Sequence, residues 1–560
     1  MPQFLDRLPE TRRPRLWLTL LCLLLWLPGF FTLPPGDRDE SRFAQASRQM
    51  VESGDWVRIR NQEEERNKKP VGIYWAQAAS AEVLGAAGLP VQDSIWTYRI
   101  PSALGAWLAV LATFQFGRAL VGRRAAFLGA ALLASAVLLC VEAHIAKTDA
   151  ALLATVATTM GLLGRAYLSP DTFTRRHAAA FWVVLGIGIL LKGPIGPMIP
   201  LLTGITLLVT DRRAPWFRAL RPLWGLPLAL LVCVPWLVAI GVATEGRFFA
   251  EAVGHDMLGK VGSSAEAHGA PPGTYLLIFG LTAFPGAFLV LRAIPGAWKA
   301  RLQPATRFLL AWAVPNWIVF EAVSTKLPHY VLPVFPALML LGATWAMDPL
   351  RRVPPRWLAG LGWLALLGVA AGLAVAAPAV FWLADHRVDG WSLLGIPFAA
   401  VLAWRVLHHA REGGWARAGL AAVLWAIPLQ WVVMQATLPR LEAPWVAPHL
   451  AAALDRAAAT VPGGVPRGRV GLLGFHEPSA VFALGTPVRL LDDGAEAARF
   501  LGEGRARGET RLLAVEAREQ PGLDAAAAAA GERLEVVGSV EGFNYTRGRR
   551  VLLRVIRLGA

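Results

Sequence analysis

The sequence predicts an all-α polytopic membrane protein with a small α/β domain at its C-terminal end. Of its 560 residues, 55% are hydrophobic and only 17% are charged, and the mean hydropathy is +0.45. Soluble domains are about 45–50% apolar even when glycine is counted. Clusters of charge separate apolar runs of roughly 18–25 residues, long enough to cross a hydrocarbon core about 30 Å thick. Backbone polar groups in lipid must be satisfied within the segment, so these runs are predicted to be helices.

The apolar runs predict about thirteen spans. They fall near residues 16–33, 97–117, 125–143, 149–167, 178–192, 195–210, 222–243, 273–292, 308–323, 329–347, 357–383, 391–407 and 418–437. Arginines fill every second loop and precede the first span, as the positive-inside rule requires of the cytoplasmic side. This pattern places the N-terminus in the cytoplasm and accounts for the net charge of +16 without a nucleic-acid partner. An odd number of spans then places residues 440–560 on the outer face, with the loop 34–95.

The C-terminal segment has a different pattern from the spans. Short apolar stretches at 469–475, 511–516, 533–540 and 550–557 predict strands, and Asp524 to Ala530 predicts a helix. Strands that alternate with helical segments are typical of a small α/β domain. We therefore divide the chain into a transmembrane domain, 1–437, and an outer-face domain, 438–560.

Lysine is rare in this chain, and its placement is informative. Seven lysines occur among 55 basic residues, and Lys299 is the one predicted to lie inside. The others, all predicted to lie in outer loops or at outer helix ends, are Lys68, Lys69, Lys147, Lys192, Lys260 and Lys326. Clustered ammonium groups on the outer face indicate an anionic ligand there, since they bind phosphate well. The alternative is contact with anionic headgroups or local ion pairs.

Other polar residues gather at the same outer level. They are Asp37, Asp39, Glu40, Glu142, Asp149, Glu251, His255, Asp256, His329 and Tyr330. No predicted span carries a charge near its centre, whereas transporters and proton relays usually place ionisable groups at mid-membrane. The pattern favours a site at the membrane interface, where the phosphate of a lipid carrier would lie.

Several of these residues have simpler structural explanations. Asp39 and Arg42 begin an amphipathic helix that runs to about Gly54, and their spacing puts them on one face, which also suits a helical ion pair. Asp149 opens a span, where aspartate is a common N-cap. His329 and Tyr330 fit an interfacial aromatic belt. The functional interpretation makes Asp39 a carboxylate that orients or deprotonates an acceptor, held by Arg42.

The loop 34–95 also contains a charge run at 62–69 that leads into an aromatic stretch, Val71 to Trp75. Pro70 suits the first turn of a helix, and we expect this helix to lie on the membrane surface. The three cysteines, Cys22, Cys140 and Cys233, fall inside apolar runs without metal-ligand spacing, so we interpret them as core residues.

Taken in order, these motifs resemble the protein-mannosyltransferase superfamily of GT-C glycosyltransferases (glycosyltransferase families 39 and 83). The bacterial branch that includes the lipid A 4-amino-4-deoxy-L-arabinose transferases is the most similar. The resemblance covers most of residues 16–350, and 542–545 resembles a tail motif of that branch. The motifs are Asp39-Glu40-x-Arg42, Lys69-Pro70-x-x-x-Tyr74-Trp75, Lys147-Thr148-Asp149, Lys192-Gly193-Pro194 and 326–333.

The resemblance implies a GT-C fold with about thirteen spans, a C-terminal periplasmic domain and a bacterial inner-membrane location. It implies an inverting glycosyltransferase that takes its sugar from a polyprenyl-phosphate donor, with lipid A or another cell-envelope glycan as the acceptor. By matching positions, the resemblance implies that the cavity is lined by Asp39, Arg42, Lys69, Asp149, His255, Lys260 and Tyr330. Together with the charge pattern, it makes Asp39 and Asp149 the predicted catalytic residues. The predicted substrate-binding residues are Glu40, Arg42, Lys68, Lys69, His255, Lys260, Lys326 and Tyr330. No cofactor is required and no metal ligand is predicted; a divalent metal stays an open alternative without support in the sequence. The alternative functions are a transporter or flippase of lipid-linked saccharides and a member that binds polyprenyl phosphates without catalysis.

Three positions depart from the arabinose-transferase pattern. Lys68 stands where that branch typically has glutamate, Arg66 where it has an aromatic residue, and Lys260 where it tends to have arginine. The carboxylate that could help to hold a metal is thus missing, and the pocket is more cationic. We hypothesise a different sugar, such as a uronic acid. Lys68→Glu should then lower activity on the native donor, and an unchanged transfer rate would contradict the hypothesis.

Overall fold

The computed structural model describes residues 10–89, 92–211, 214–252, 254 and 269–559. Most of the chain up to residue 440 is helical. Its α-helices are α1 Pro14–Trp26, α2 Asp39–Ser53, α3 Gly72–Ala86, α4 Ile95–Ala134, α5 Val137–Ala143, α6 Asp149–Leu168, α7 Arg175–Lys192, α8 Ile195–Thr210, α9 Pro215–Ala219, α10 Pro222–Ala243, α11 Arg247–Phe249, α12 Thr274–Thr282, α13 Ala287–Lys299, α14 Pro304–Ala322, α15 Phe335–Met347, α16 Arg356–Trp363, α17 Val369–Asp385, α18 Gly395–Arg411 and α19 Trp415–Trp431. Two short strands, β1 Arg60–Asn61 and β2 Glu64–Glu65, pair in the loop between α2 and α3.

The protein crosses the membrane several times. Among the described residues, seven helical stretches are long and apolar enough to span a bilayer: Ile95–Ala134, Asp149–Leu168, Pro222–Ala243, Pro328–Met347, Arg356–Asp385, Ser392–Arg411 and Trp415–Arg440. Two further apolar helices, α1 and α8, are shorter. Large apolar side chains on these helices are exposed, Leu223 at 94% and Leu277 at 85% among them, as expected of a surface that faces lipid. The predicted number of thirteen spans is not confirmed.

A single glycine divides the longest helix. The sequence predicts two spans at 97–117 and 125–143, and α4 runs through both as far as Ala134 with a kink at Gly122 (φ 79°, ψ 164°). This backbone conformation has a positive φ that favours glycine. The second half of α4 is almost wholly buried in the main core, and α4 as a whole packs against α6 and α15.

One arginine lies deeper than its sequence position suggested. Arg292 is the last residue of the predicted span 273–292, next to a predicted inner loop. It is buried in α13, 1% exposed, and its guanidinium lies 4.4 and 4.9 Å from the ring centroids of Trp363 and Trp415. These cation–π contacts stabilise the guanidinium. Gly362 makes room for it, since a Cβ there would lie 2.2 Å from Arg292 Nη1.

The C-terminal segment folds around one five-stranded sheet. Its strands are β3 Val470–Leu473, β4 Arg489–Leu491, β5 Leu512–Glu516, β6 Leu534–Asn544 and β7 Arg549–Leu558, in the order β4-β3-β5-β7-β6. β3 is parallel to β4 and β5, and β7 is antiparallel to β5 and β6. The helices are α20 Val446–Ala459, α21 Pro478–Leu484, α22 Gly494–Ala506 and α23 Gln520–Ala529. The four predicted strands are confirmed, and β4, α20, α21 and α22 are additional. The division of the chain at 437/438 stays a prediction.

Candidate active site

The candidate site is built on the segment that joins α1 to α2. The predicted amphipathic helix is confirmed: α2 begins at Asp39 and ends before Gly54, which is left-handed (φ 67°). In its first turn, both carboxylate oxygens of Glu40 pair with the guanidinium of Arg99 (2.8 and 3.1 Å), a fully buried residue of α4. Glu40 also accepts hydrogen bonds from the backbone N–H groups of Gly36 (2.7 Å) and Ala146 (3.0 Å). Although Glu40 was predicted to bind substrate, its contacts favour a structural role.

Replacing Glu40 by Ala should destabilise the protein severely. Arg99 would stay buried and lose its carboxylate partner, a change that costs about 3–5 kcal/mol. The measurement is the midpoint of thermal unfolding of the purified protein in detergent. Glu82→Ala, at an exposed position of α3, should leave that midpoint nearly unchanged. Equal midpoints for Glu40→Ala and wild type would contradict the structural role.

A cluster of buried charged residues lies where α5, α6 and α7 meet. Lys147 Nζ lies 3.3 Å from Glu142 Oε1 and 3.5 Å from Asp149 Oδ2, and Lys192, the last residue of α7, pairs with Asp149 Oδ1. The side chains of both carboxylates are 4% exposed and those of both lysines 11%. Buried charges persist when they are paired in this way. The carboxylates therefore fix two ammonium groups at the start of α6.

His329 also belongs to this cluster and contacts both Lys147 and Asp149. Its Nδ1 lies 3.3 Å from Lys147 Nζ, and its Nε2 lies 3.7 Å from Asp149 Oδ2. Since an ammonium group can only donate, we assign Nδ1 as the acceptor and the ring proton to Nε2. The next residue, Tyr330, places its ring 5.3 Å from Lys192 Nζ. The motif at 326–333 thus reaches the two lysines.

Glu142, Asp149 and His329 could in principle bind a metal ion, because one ligand atom from each lies within 4.8 Å of the others. The two lysine ammonium groups already lie beside both carboxylates. A divalent cation would have to displace them or share the carboxylates with them. The donor set fits a metal poorly, and no step is derived through one.

Asp39 lies across a cavity from this cluster. Its side chain is 51% exposed, and its Oδ1 lies 3.9 Å from Arg66 Nη2. Arg66 in turn lies 5.2 Å from the ring of Phe43 and donates from Nε to Tyr74 Oη (3.2 Å). Asp39 is therefore an accessible carboxylate among cationic neighbours.

The C-terminal domain closes this cavity. Tyr545, in the turn between β6 and β7, accepts a hydrogen bond at Oη from the backbone N–H of Asp37 (2.6 Å). Trp445 lies beside it, with ring centroids 6.4 Å apart. The backbone N–H of Ser479 donates to Asp37 Oδ1 (3.3 Å). Two parts of the chain more than 400 residues apart thus meet at Asp37.

Burial between these parts raises the pKa of Asp37 from 3.8 to about 6. The folded protein then holds a proton that the unfolded chain releases between these two values, so folding gains stability as the pH falls. Asp37→Asn, which resembles the protonated form, should raise the melting temperature at about pH 7.5, and this advantage should shrink toward about pH 5. Thermal unfolding at both pH values measures it. An advantage that does not change with pH would contradict the raised pKa.

Two cavities share the cationic cluster. One, of about 500 Å³, is the more polar of the two, and we call it the polar chamber; it is lined by Asp37, Asp39, Arg42, Arg66, Lys147, Trp445 and Tyr545 among others. The second, of about 530 Å³, is mostly apolar and is lined by Leu152, Ile189, Leu237, Phe248, Phe320 and Pro333 among others. Both are bordered by Lys68, Lys69, Asp149, Lys192, His329 and Tyr330. The polar chamber and this second cavity, the apolar groove, thus meet at a shared border that contains three lysines.

The predicted site residues fall into four groups. Asp39, Asp149, Arg42, Lys68, Lys69 and Tyr330 line the polar cavity. Glu40 borders it, but its carboxylate is engaged with Arg99. Lys326 donates to the carbonyls of Glu321 (2.9 Å) and Val323, so its ammonium group caps α14. His255 and Lys260 lie outside the described residues. All of these assignments stay predictions.

The site also contains residues that the sequence did not assign to it. Lys147, Lys192, Glu142 and His329 were noted as polar residues of the outer rim, and this was the signal that could have identified them. Arg66 was noted as a departure from a pattern. Tyr545 was noted as part of the tail motif at 542–545 but was not assigned to the site, and Trp445 was not noted. Only the fold of the C-terminal domain brings these two residues to Asp37.

Comparison with known families agrees with this architecture. A family model described as dolichyl-phosphate-mannose-protein mannosyltransferase matches residues 68–238. The undecaprenyl phosphate-alpha-4-amino-4-deoxy-L-arabinose arabinosyl transferase of Pseudomonas paraeruginosa is 30% identical over 429 residues, which cover 74% of this chain and 71% of that protein. The protein of the same name from Aeromonas salmonicida is 27% identical over 446 residues, covering 75% and 78%.

Solved structures confirm the predicted GT-C fold. The crystal structure of ArnT from Cupriavidus metallidurans bound to undecaprenyl phosphate superposes with a TM-score of 0.72 at 21% identity, covering 96% of this chain and 97% of that chain. The oligosaccharyltransferase of Archaeoglobus fulgidus is more distant, with a TM-score of 0.51 at 10% identity over 90% of this chain and 70% of that chain.

Proposed function

The chain belongs to the family of undecaprenyl phosphate-α-4-amino-4-deoxy-L-arabinose arabinosyl transferases, and we propose that it transfers a sugar from a polyprenyl-phosphate donor to lipid A or a similar cell-envelope acceptor. It is a membrane-embedded glycosyltransferase. The observation that supports this donor is the junction of the polar chamber with the apolar groove. A polyprenyl-phosphate sugar matches this arrangement, because it consists of an apolar chain, then a phosphate, then a polar sugar.

The donor fits this junction in one orientation. The apolar groove would take the first isoprene units, because its walls are apolar side chains of α6, α7, α10 and α14. The phosphate would lie at the shared border, within reach of Lys69 and Lys192. The sugar would then lie in the polar chamber, on the side of Asp39. Cationic groups at a mostly apolar opening favour a phosphate over a neutral headgroup.

The reaction is a single displacement. An acceptor oxygen forms a bond to the anomeric carbon while the bond from that carbon to the phosphate oxygen breaks. Polyprenyl phosphate leaves with the electron pair, and attack from the opposite face inverts the anomeric configuration. The phosphate changes from a diester to a monoester and gains negative charge. Preorganised cations stabilise such charge most where water is excluded. Among the described residues, the lysines at that border are Lys68, Lys69 and Lys192, and we assign the stabilisation of the leaving phosphate to Lys69 and Lys192.

Asp39 and Asp149 have different roles in this scheme. Asp39 is accessible and would accept the proton of an acceptor hydroxyl. If the acceptor is a phosphate, no base is needed, and Asp39 would orient the sugar. Asp149 is buried and contacts Lys147, Lys192 and His329. It would hold the lysines in place and not act on the substrate.

The membrane orientation is also part of the proposal. Arginine-rich loops support a cytoplasmic N-terminus in a bacterial inner membrane. The polar chamber and the C-terminal domain would then face the periplasm. A transporter is not favoured, since the relatives named above are transferases and the described ionisable cluster lies at helix ends.

Mass spectrometry of the host's lipid A and glycolipids tests the proposal. A deletion strain is compared with strains complemented by wild type, by Asp39→Ala and by the control Glu535→Gln, an exposed position of β6. A mass increment of one sugar that wild type and Glu535→Gln restore, and Asp39→Ala does not, would support it and identify the sugar. Identical lipids in all strains, with export of a labelled carrier lost on deletion, would overturn it in favour of the transporter.

A further inference from the structure

We propose that Tyr545 of the C-terminal domain is a positioning residue for sugar transfer, which holds the segment 36–38 so that Asp39 faces the polar chamber. The inference rests on the proposed function, because it assigns Asp39 to the reaction. It gives the C-terminal domain a direct part in the chemistry of the site. Contacts among three short segments support it: residues 36–38, the start of α21 and the turn between β6 and β7.

The segment 36–38, which precedes Asp39, includes a strained backbone conformation that contacts with other parts of the protein must stabilise. Arg38, the N-cap of α2, has φ 63° and ψ −110°. Residues other than glycine rarely adopt positive φ, and such conformations persist where surrounding contacts impose them. No side-chain cap holds the start of α2. The direction of the Asp39 side chain therefore depends on what fixes Asp37 and Arg38.

The C-terminal domain supplies three of these contacts. Tyr545 Oη accepts from the backbone N–H of Asp37 (2.6 Å), and the carbonyl of Thr546 accepts from Arg38 Nη2 (2.8 Å). The backbone N–H of Ser479, in the first turn of α21, donates to Asp37 Oδ1 (3.3 Å). The shortest of the three hydrogen bonds is that of Tyr545, and it acts on the backbone itself.

The turn that carries Tyr545 is held by hydrogen bonds on both sides. Asn544 Oδ1 accepts from the backbone N–H of Thr546 (3.1 Å), from its hydroxyl (2.8 Å) and from the N–H of Arg547 (3.1 Å). Asn544 Nδ2 donates to Glu477 Oε1 (2.7 Å), next to α21. A turn fixed on both sides can hold its hydroxyl at one place, as a supporting residue must.

Tyr545 is not needed to keep the two domains together. Asp385 accepts from the backbone N–H groups of Glu442 (2.9 Å) and Ala443 (2.8 Å), and Arg440 pairs with Asp389 (2.7 Å). These contacts join α17 and the loop after it to the linker before α20, and none of them involves Tyr545. Removing one phenolic hydroxyl should therefore leave the domains docked, and its effect should appear in the reaction.

The test is the steady-state kinetics of the full-length protein in detergent or nanodiscs, with a polyprenyl-phosphate sugar identified by the lipid analysis. Tyr545→Phe keeps the ring and leaves the Asp37 N–H without its acceptor. Misplacing a reacting group by about 1 Å can cost about 10²-fold in rate. We expect kcat to fall about 10- to 100-fold, with the donor KM within about twofold and an unchanged melting temperature. Phe543→Leu, in the same hairpin but lining a different cavity, should leave all three values unchanged.

A double-mutant cycle separates positioning from a structural role. If Tyr545 acts through Asp39, Tyr545→Phe should have little further effect in an Asp39→Asn background. A wild-type kcat for Tyr545→Phe would overturn the inference. So would an equal loss in both backgrounds, or a loss accompanied by a lower melting temperature. Wild-type protein that transfers no sugar would instead refute the proposed function, so the two failures are distinguishable.

Discussion

Asp39→Asn should lower kcat for sugar transfer to a hydroxyl acceptor by about 10²–10⁴-fold, the usual contribution of a positioned general base. The amide keeps the shape of the carboxylate but cannot take the acceptor proton. Asp39 is suited to this role because its side chain is half exposed at the polar chamber, and because the guanidinium of Arg66, with Nη2 3.9 Å from Asp39 Oδ1, lies beside it. Its neighbour Glu40 is not suited, since Arg99 and two backbone N–H groups occupy its carboxylate.

Binding of the donor should change much less than turnover. The lysines at the phosphate border are untouched in Asp39→Asn, so the affinity for undecaprenyl phosphate, measured by protection against thermal unfolding, should stay within about twofold of wild type. Asp455→Asn, an exposed aspartate of α20, is the matched control and should transfer sugar normally. Near-full activity of Asp39→Asn would remove Asp39 from the proton transfer and would favour a phosphate acceptor.

Lys192→Met should lower kcat/KM by about 10²–10³-fold, as expected when a preorganised group that stabilises developing charge is removed. Lys192 ends α7 at the border between the two cavities, where the leaving phosphate gains charge. The fold should tolerate the change, because Asp149 keeps its contacts with Lys147 and His329. Lys192→Arg, which keeps the charge but not the geometry, should retain part of the activity.

The control for this variant is Lys299→Met, an exposed lysine at the end of α13. It removes the same charge and should leave kcat/KM unchanged. Melting temperatures of all three lysine variants should stay close to that of wild type. A wild-type kcat/KM for Lys192→Met would show that the leaving phosphate does not depend on this ammonium group, and would shift the electrostatic role to Lys69 and Lys68.

The sequence by itself determined the membrane class, the fold family and one side of the site. Apolar runs long enough to span lipid must be helical, because a helix satisfies the hydrogen bonds of its own backbone where no water is present. Short apolar stretches likewise predicted the strands β3, β5, β6 and β7. Lysines placed against the arginine pattern, with Asp39 and Asp149, indicated the level of the site, because charge placement in a membrane protein follows simple electrostatic rules.

Only the tertiary structure decided which of these charged residues serve the site and which serve the fold. Glu40 and Lys326 follow the same sequence pattern as Asp39 and Lys69, yet Glu40 pairs with Arg99 and Lys326 caps α14. Arg292 lay near a predicted loop and is buried between two tryptophans. Tyr545 meets Asp37 across more than 500 residues of chain. Such pairings depend on how distant elements pack against each other. The local periodicity of the sequence predicts helices and strands, but it does not indicate which distant residue a side chain will contact in the folded protein.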